Sequence, residues 1–109
     1  MIEALKARLM QLAALGQTIT YGDLARELSL PSPAIQTLTR VLENLMEEDA
    51  AAGRPFLAAL LEGRLGDGLP SLGFFEKAAL LDAPITADPA AFVAGQRAAL
   101  AVLHGAPDT

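Results

Sequence analysis

The stretch Ile19 to Leu42, ITYGDLARELSLPSPAIQTLTRVL, decides how the rest of the chain is read. Thr20 is a good helix N-cap, and Asp23 three residues on makes a capping-box-like pair that satisfies free amides and places negative charge at a helix start. A helix of about Tyr21 to Leu28 follows. Pro31 blocks its continuation. Ser32 and Pro33 then read as N-cap and first residue of the next helix, where the N–H that proline lacks would be unpaired anyway. Ile35, Leu38, Leu42, Leu45 and Met46 form one apolar stripe, predicting a helix that reaches about Ala51 and ends at Gly53. Helix, turn and longer helix is the rhythm of a helix-turn-helix.

Upstream, Ile2, Leu5, Leu9 and Leu12 recur at helical spacing, so a first helix spans about Ile2 to Leu15 and stops at Gly16. Downstream, RPFLAALLEG is a short apolar run with Pro55 placed as at the start of a strand. The run alone does not separate strand from helix, and it is read as a strand because a wing belongs there. GRLGDGLPSLG, with Gly63, Gly66, Gly68 and Gly73 around Pro70, is loop chemistry. Its glycine spacing matches neither the Walker nor the dinucleotide fingerprint. GFFEKAALL resumes a helical pattern, Asp82 to Ala87 is a linker, and Asp88 followed by Pro89 starts a last helix through about His104. The closing GAPDT reads as a frayed end. The expected fold class is α+β, mostly α: one winged-helix-like domain over residues 1–109, with a short strand or wing and an added C-terminal helix.

Composition supports helices and narrows function. The 109 residues are 52% hydrophobic, drawn largely from Ala and Leu, which favours packed helices over sheet. With zero Cys there is no disulfide, thiolate nucleophile or Cys-ligated zinc. Glu3, Lys6 and Arg8 interrupt the first apolar segment, so a cytoplasmic protein without a membrane partner is expected. Eight Lys+Arg against thirteen Asp+Glu give a net charge of −5, the opposite sign from most modules that live on phosphate contacts. His104, the single histidine, has no thiol or paired acid nearby in sequence, so neither a catalytic dyad, a metal site nor a cofactor is expected.

GQTITYGDLA resembles the start of the DNA-binding domain of O6-alkylguanine-DNA alkyltransferases and alkyltransferase-like proteins, in which a Thr-Tyr-Gly-like element opens the helix-turn-helix. Pro31 falls where that family often has a proline, and Lys77 with Leu80 and Leu81 is similar to its closing Lys…Leu-Leu. The resemblance spans roughly Gly16 to Leu81 and implies a DNA-binding fold. The family's Pro-Cys-His-Arg acceptor motif should fall near Arg54 to Leu60, where this chain has RPFLAAL, so alkyl transfer to a protein thiol is excluded. The family's base-displacing arginine aligns best with Gln36, and this chain's own arginine lies a turn later at Arg40. Segments like YGDLA, GRPFLAAL and GFFEKA also resemble a group of small, uncharacterised proteobacterial proteins sometimes labelled ribose-phosphate pyrophosphokinase. That enzyme is much larger and needs dedicated phosphate and Mg²⁺ sites, for which GRLGDG and scattered acids are the only material here.

Tyr21 is placed to put its hydroxyl on a DNA phosphate, or else to pack its ring and leave the hydroxyl wet. Gln36, Thr37, Thr39 and Arg40 lie away from the apolar stripe and are of the types that bond base edges or phosphates. Arg54 and Arg64 would flank the wing. Against these, the helix from Ser32 to Ala51 carries Arg40 alone against Glu43, Glu47, Glu48 and Asp49, a balance that repels phosphate along most of its length. Two functions are therefore carried forward. One is a non-enzymatic DNA-binding module using Tyr21, Gln36, Thr37, Thr39, Arg40 and Arg64. The other is a protein-interaction module, or a homodimer, using the acidic helix and the C-terminal segment. A pyrophosphokinase comes third.

Overall fold

The computed structural model describes residues 2–85 and 87–105, which build five helices and two short strands around one continuous core. The first helix, α1 (Ile2–Leu15), buries Leu5, Leu9 and Leu12 as their spacing predicts and ends at Gly16 in a left-handed conformation, φ 67°. A two-residue strand β1 (Ile19–Thr20) leads into α2 (Tyr21–Glu27), capped by Thr20, whose Oγ1 accepts from Asp23 N at 3.1 Å. The turn that follows contains Pro31, and α3 (Ala34–Ala52) starts one residue later than expected because Pro33 is still extended and serves as the N-cap. Gly53, at φ 68°, closes α3. The chain continues through α4 (Leu72–Leu80) and α5 (Pro89–His104), where Asp88 Oδ1 accepts from Ala91 N at 3.2 Å. The tail after Gly105 and one linker residue, Thr86, lie outside the described residues.

The core holds Leu5, Leu9, Leu24, Leu38, Leu45, Leu61, Val93 and Leu100, all removed from solvent. Each such side chain contributes about 1.5 to 3 kcal/mol on burial. Phe74 stands against three other rings, edge-on to Phe56 at 6.1 Å and to Phe75 at 5.2 Å, and tilted to Phe92 at 6.4 Å. Among the described residues no helix is long and apolar enough to cross a membrane.

The segment after Pro55 differs from expectation. Residues Leu57–Leu60 form a 3-10 helix, and strand β2 is only Leu61–Glu62. It pairs parallel to β1, with Ile19 opposite Leu61 and Thr20 opposite Glu62, so this pairing is a crossover and not a hairpin. Three side chains explain it. The Asp49 carboxylate accepts from Leu57 N at 3.2 Å, Gln96 Oε1 accepts from Phe56 N at 2.8 Å, and Arg97 donates to the carbonyls of Ala59 at 2.8 Å and Leu61 at 3.3 Å. They supply the partners that a neighbouring strand would otherwise give, which buried backbone groups require. The apolar stripe of α3 also runs out earlier than its spacing implies. Ile35 is 42% exposed, because its turn of helix faces an open groove instead of the core.

Candidate functional site

That groove, about 600 Å³, lies between the start of α2, the first turns of α3 and the loop that follows β2. Tyr21, Arg26, Ile35, Thr39 and Arg64 all line it. The loop is pinned at its base, where Gly63 N donates to Leu69 O at 2.8 Å and a Cβ on Gly63 would press within 3.2 Å of Ser71 N. Its turn uses Gly66 and Gly68 at φ 73° and 76°, and Asp67 Oδ1 accepts from Leu69 N at 3.0 Å. Tyr21 ties the loop to α2: its Oη accepts from Ser71 N and from Ser71 Oγ, each at 3.2 Å. Whichever of the two hydroxyls donates to the other, one O–H of the Ser71–Tyr21 pair is left to donate elsewhere, and both residues line the groove.

Charge on this face differs from the charge of the chain. Of the eight Lys+Arg, five are held in ion pairs: Lys6 with Glu48, Arg8 with Glu27, Arg26 with Asp23, Arg54 with Asp49 and Lys77 with Glu47. Arg97 is spent on backbone carbonyls. Among the described residues Arg40 and Arg64 alone of the eight are held by neither an ion pair nor a backbone carbonyl: Arg64 lines the groove, and Arg40 is exposed on α3 next to Thr39 but outside the lining. Three of the four acids of α3 are met by cations from α1, from α4 and from the segment after Gly53. The repulsion read from the sequence of that helix is thus largely compensated within the fold.

Asp49 is not on the surface at all, being 1% exposed. Burial pushes its carboxyl above the ordinary range, while the Leu57 N–H and Arg54 pull it back down. Arg54, expected beside a wing, instead lines a second groove with Lys6, Asp49 and His104. It does not share the face of Arg64.

Of the six residues singled out from the sequence, Tyr21, Thr39 and Arg64 meet in the large groove. Gln36 and Arg40 are exposed on α3 outside its lining, and Thr37 is turned inward on its own helix, Oγ1 donating to Pro33 O at 3.0 Å. Sequence reasoning missed Ile35, Arg26 and Ser71 as groove residues. It also missed Asp49, Gln96 and Arg97 as the holders of the 3-10 segment. The one available signal was the polar pair Gln96-Arg97 in an otherwise Ala- and Leu-rich helix. Among the described residues no three His, Asp or Glu side chains cluster as a metal site requires. No protein-family model, curated protein or solved structure matches the chain.

Proposed function

We propose that the protein is a non-enzymatic helix-turn-helix module of winged-helix type that holds duplex DNA weakly through the first half of α3 and the loop after β2. The observation that carries this reading is the distribution of cations. In a chain of net charge −5, the two arginines that among the described residues are held by neither an ion pair nor a backbone carbonyl are Arg64, which lines the groove, and Arg40, exposed on α3 one residue from Thr39 of its lining. Tyr21 adds a hydroxyl that lines the same groove, and Gln36 adds an exposed amide on α3. Glu62 and Asp67 also line the groove and temper the attraction.

Few phosphate contacts mean a shallow salt dependence, with a log–log slope of about −2 to −3 for two or three neutralised phosphates. Fluorescence anisotropy on a duplex should detect binding at about 20 mM salt and little at about 150 mM, where screening acts beyond roughly 8 Å. Arg40→Ala and Arg64→Ala should each lower the slope by about one. No binding at low salt, or a double variant that binds like the native protein, would overturn the proposal.

The protein-interaction reading ranks second because the acids it would present on α3 are already engaged by Lys6, Arg54 and Lys77. Pyrophosphate transfer from ATP to ribose 5-phosphate ranks last, since Asp67 serves the turn of its own loop.

A further inference from the structure

Resting on that DNA reading, we propose that Leu65 is an apolar wedge that enters the base stack of the bound duplex, with Arg64 on an adjacent phosphate. Leu65 is 89% exposed, the most exposed large hydrophobic residue among those described. A lone exposed leucine on a loose loop would mean little. This loop is held. The Gly63–Leu69 hydrogen bond closes its base, Asp67 fixes its turn, and Ser71 anchors its far end on Tyr21. Such constraints keep Leu65 out in solvent, where the chain gains nothing from it.

Its neighbours give the exposure a direction. Leu65 shares the groove with two other exposed apolar residues, Ile35 at 42% and Leu72 at 72%, and it follows Arg64, which has no ion-pair partner among the described residues. An apolar side chain on a rigid tip beside an unpaired cation matches what a duplex offers at a base step: an apolar stack between two phosphates. Leucine wedges of this kind unstack a step and kink the helix away from the protein. The cost of unstacking, a few kcal/mol, adds to the reasons for weak binding. Pyrimidine–purine steps yield most easily, so the wedge also implies a preference for flexible sequence in place of base-edge readout.

The test uses the full chain and a short duplex carrying 2-aminopurine at a central T–A step, whose emission rises when the base unstacks. Binding is followed in parallel by anisotropy at low salt. Native protein should bind and raise the emission several-fold. Leu65→Ala should still bind, through Arg40 and Arg64, with the emission change lost, while Val102→Ala, a comparably exposed apolar residue on α5 outside the groove, should keep it. Binding without an emission rise, or an unchanged rise with Leu65→Ala, would overturn the wedge and leave the DNA reading standing. Absence of any binding would overturn both. Sedimentation of native protein and Leu65→Ala covers the remaining case: a dimer that the substitution dissolves would assign Leu65 to a second copy of the chain and remove the proposal.

Discussion

The two halves of α3 are one helix with opposite fates. Its first half, from Ala34 to Arg40, presents Ile35, Gln36 and Arg40 to solvent and gives the groove its wall. Its second half carries Glu47, Glu48 and Asp49, and each is matched to a cation from another part of the fold. Asp49 goes further and disappears into the interior. Read as a string, the helix is acidic and repels DNA; folded, three of its four acids are paired, and among the described residues its arginine is not. Charge along a sequence and charge shown to a partner are different quantities, and tertiary pairing converts one into the other.

The sharpest way to break the comparison is at Asp49. Asp49→Ala strands the Leu57 N–H and removes the bond to the half-exposed Arg54, so a urea melt should show a loss of about 2 to 4 kcal/mol, from a buried donor left unsatisfied and a charge-assisted hydrogen bond lost. A near-neutral result would show that this acid behaves like an ordinary surface charge. Next comes the buried face of the same helix. Leu42→Ala should cost about 2 to 5 kcal/mol, whereas Ile35→Ala and Gln36→Ala should stay within roughly 0.5 to 1 kcal/mol. Equal losses at all three would place the groove on the wrong side of α3.

Arg97→Ala removes two bonds to the 3-10 segment and should cost about 1.5 to 3 kcal/mol, with faster hydrogen exchange across residues 56–62. Protection unchanged there would mean that α5 does not hold the segment. A smaller effect is expected at the exposed pair between Glu47 and Lys77, 2.8 Å apart. Glu47→Gln should change stability by only about 0.2 to 1 kcal/mol, yet it frees a lysine, and affinity for DNA at low salt should rise. If affinity falls instead, the pairing of acids is not what permits binding.

The smallest effect is in pH. Burial raises the Asp49 carboxyl in the folded chain above its unfolded value, so its contribution is full below the unfolded value and is lost as pH rises through the folded one. Compared with Asp49→Asn, the native protein should therefore lose stability as pH climbs from about 4. A flat difference across that range would show that Arg54 and the Leu57 N–H cancel the effect of burial.

How much of this was legible in the sequence follows from where each signal resides. The ends of α1, α3 and α5 are written locally, in Gly16, Gly53 and the Asp88-Pro89 pair, and they fall at or within a residue of expectation. The RPFLAAL segment is not local. Its backbone is satisfied by Asp49 from one helix and by Gln96 and Arg97 from another, and no periodicity within the run reports partners so far away. Ile35 was misread for a related reason. It continues the stripe of Leu38 and Leu42, but periodicity gives the direction of a side chain and not whether the body of the protein extends far enough to cover it. Tyr21, Thr39 and Arg64 were singled out by type and position and line the groove, whereas Ser71, which lines it too, was hidden in a stretch legible only as loop.

The chain has one tyrosine and no tryptophan, so all of its useful intrinsic fluorescence comes from Tyr21. That phenol stands at the junction of α2 and the loop, bonded to Ser71, and lines the groove. The protein therefore carries a built-in optical probe at this face, silent about the α1–α5 side. Anything that displaces Ser71 or takes the phenol proton should alter its emission without a label, and a spectator bound elsewhere should leave it unchanged.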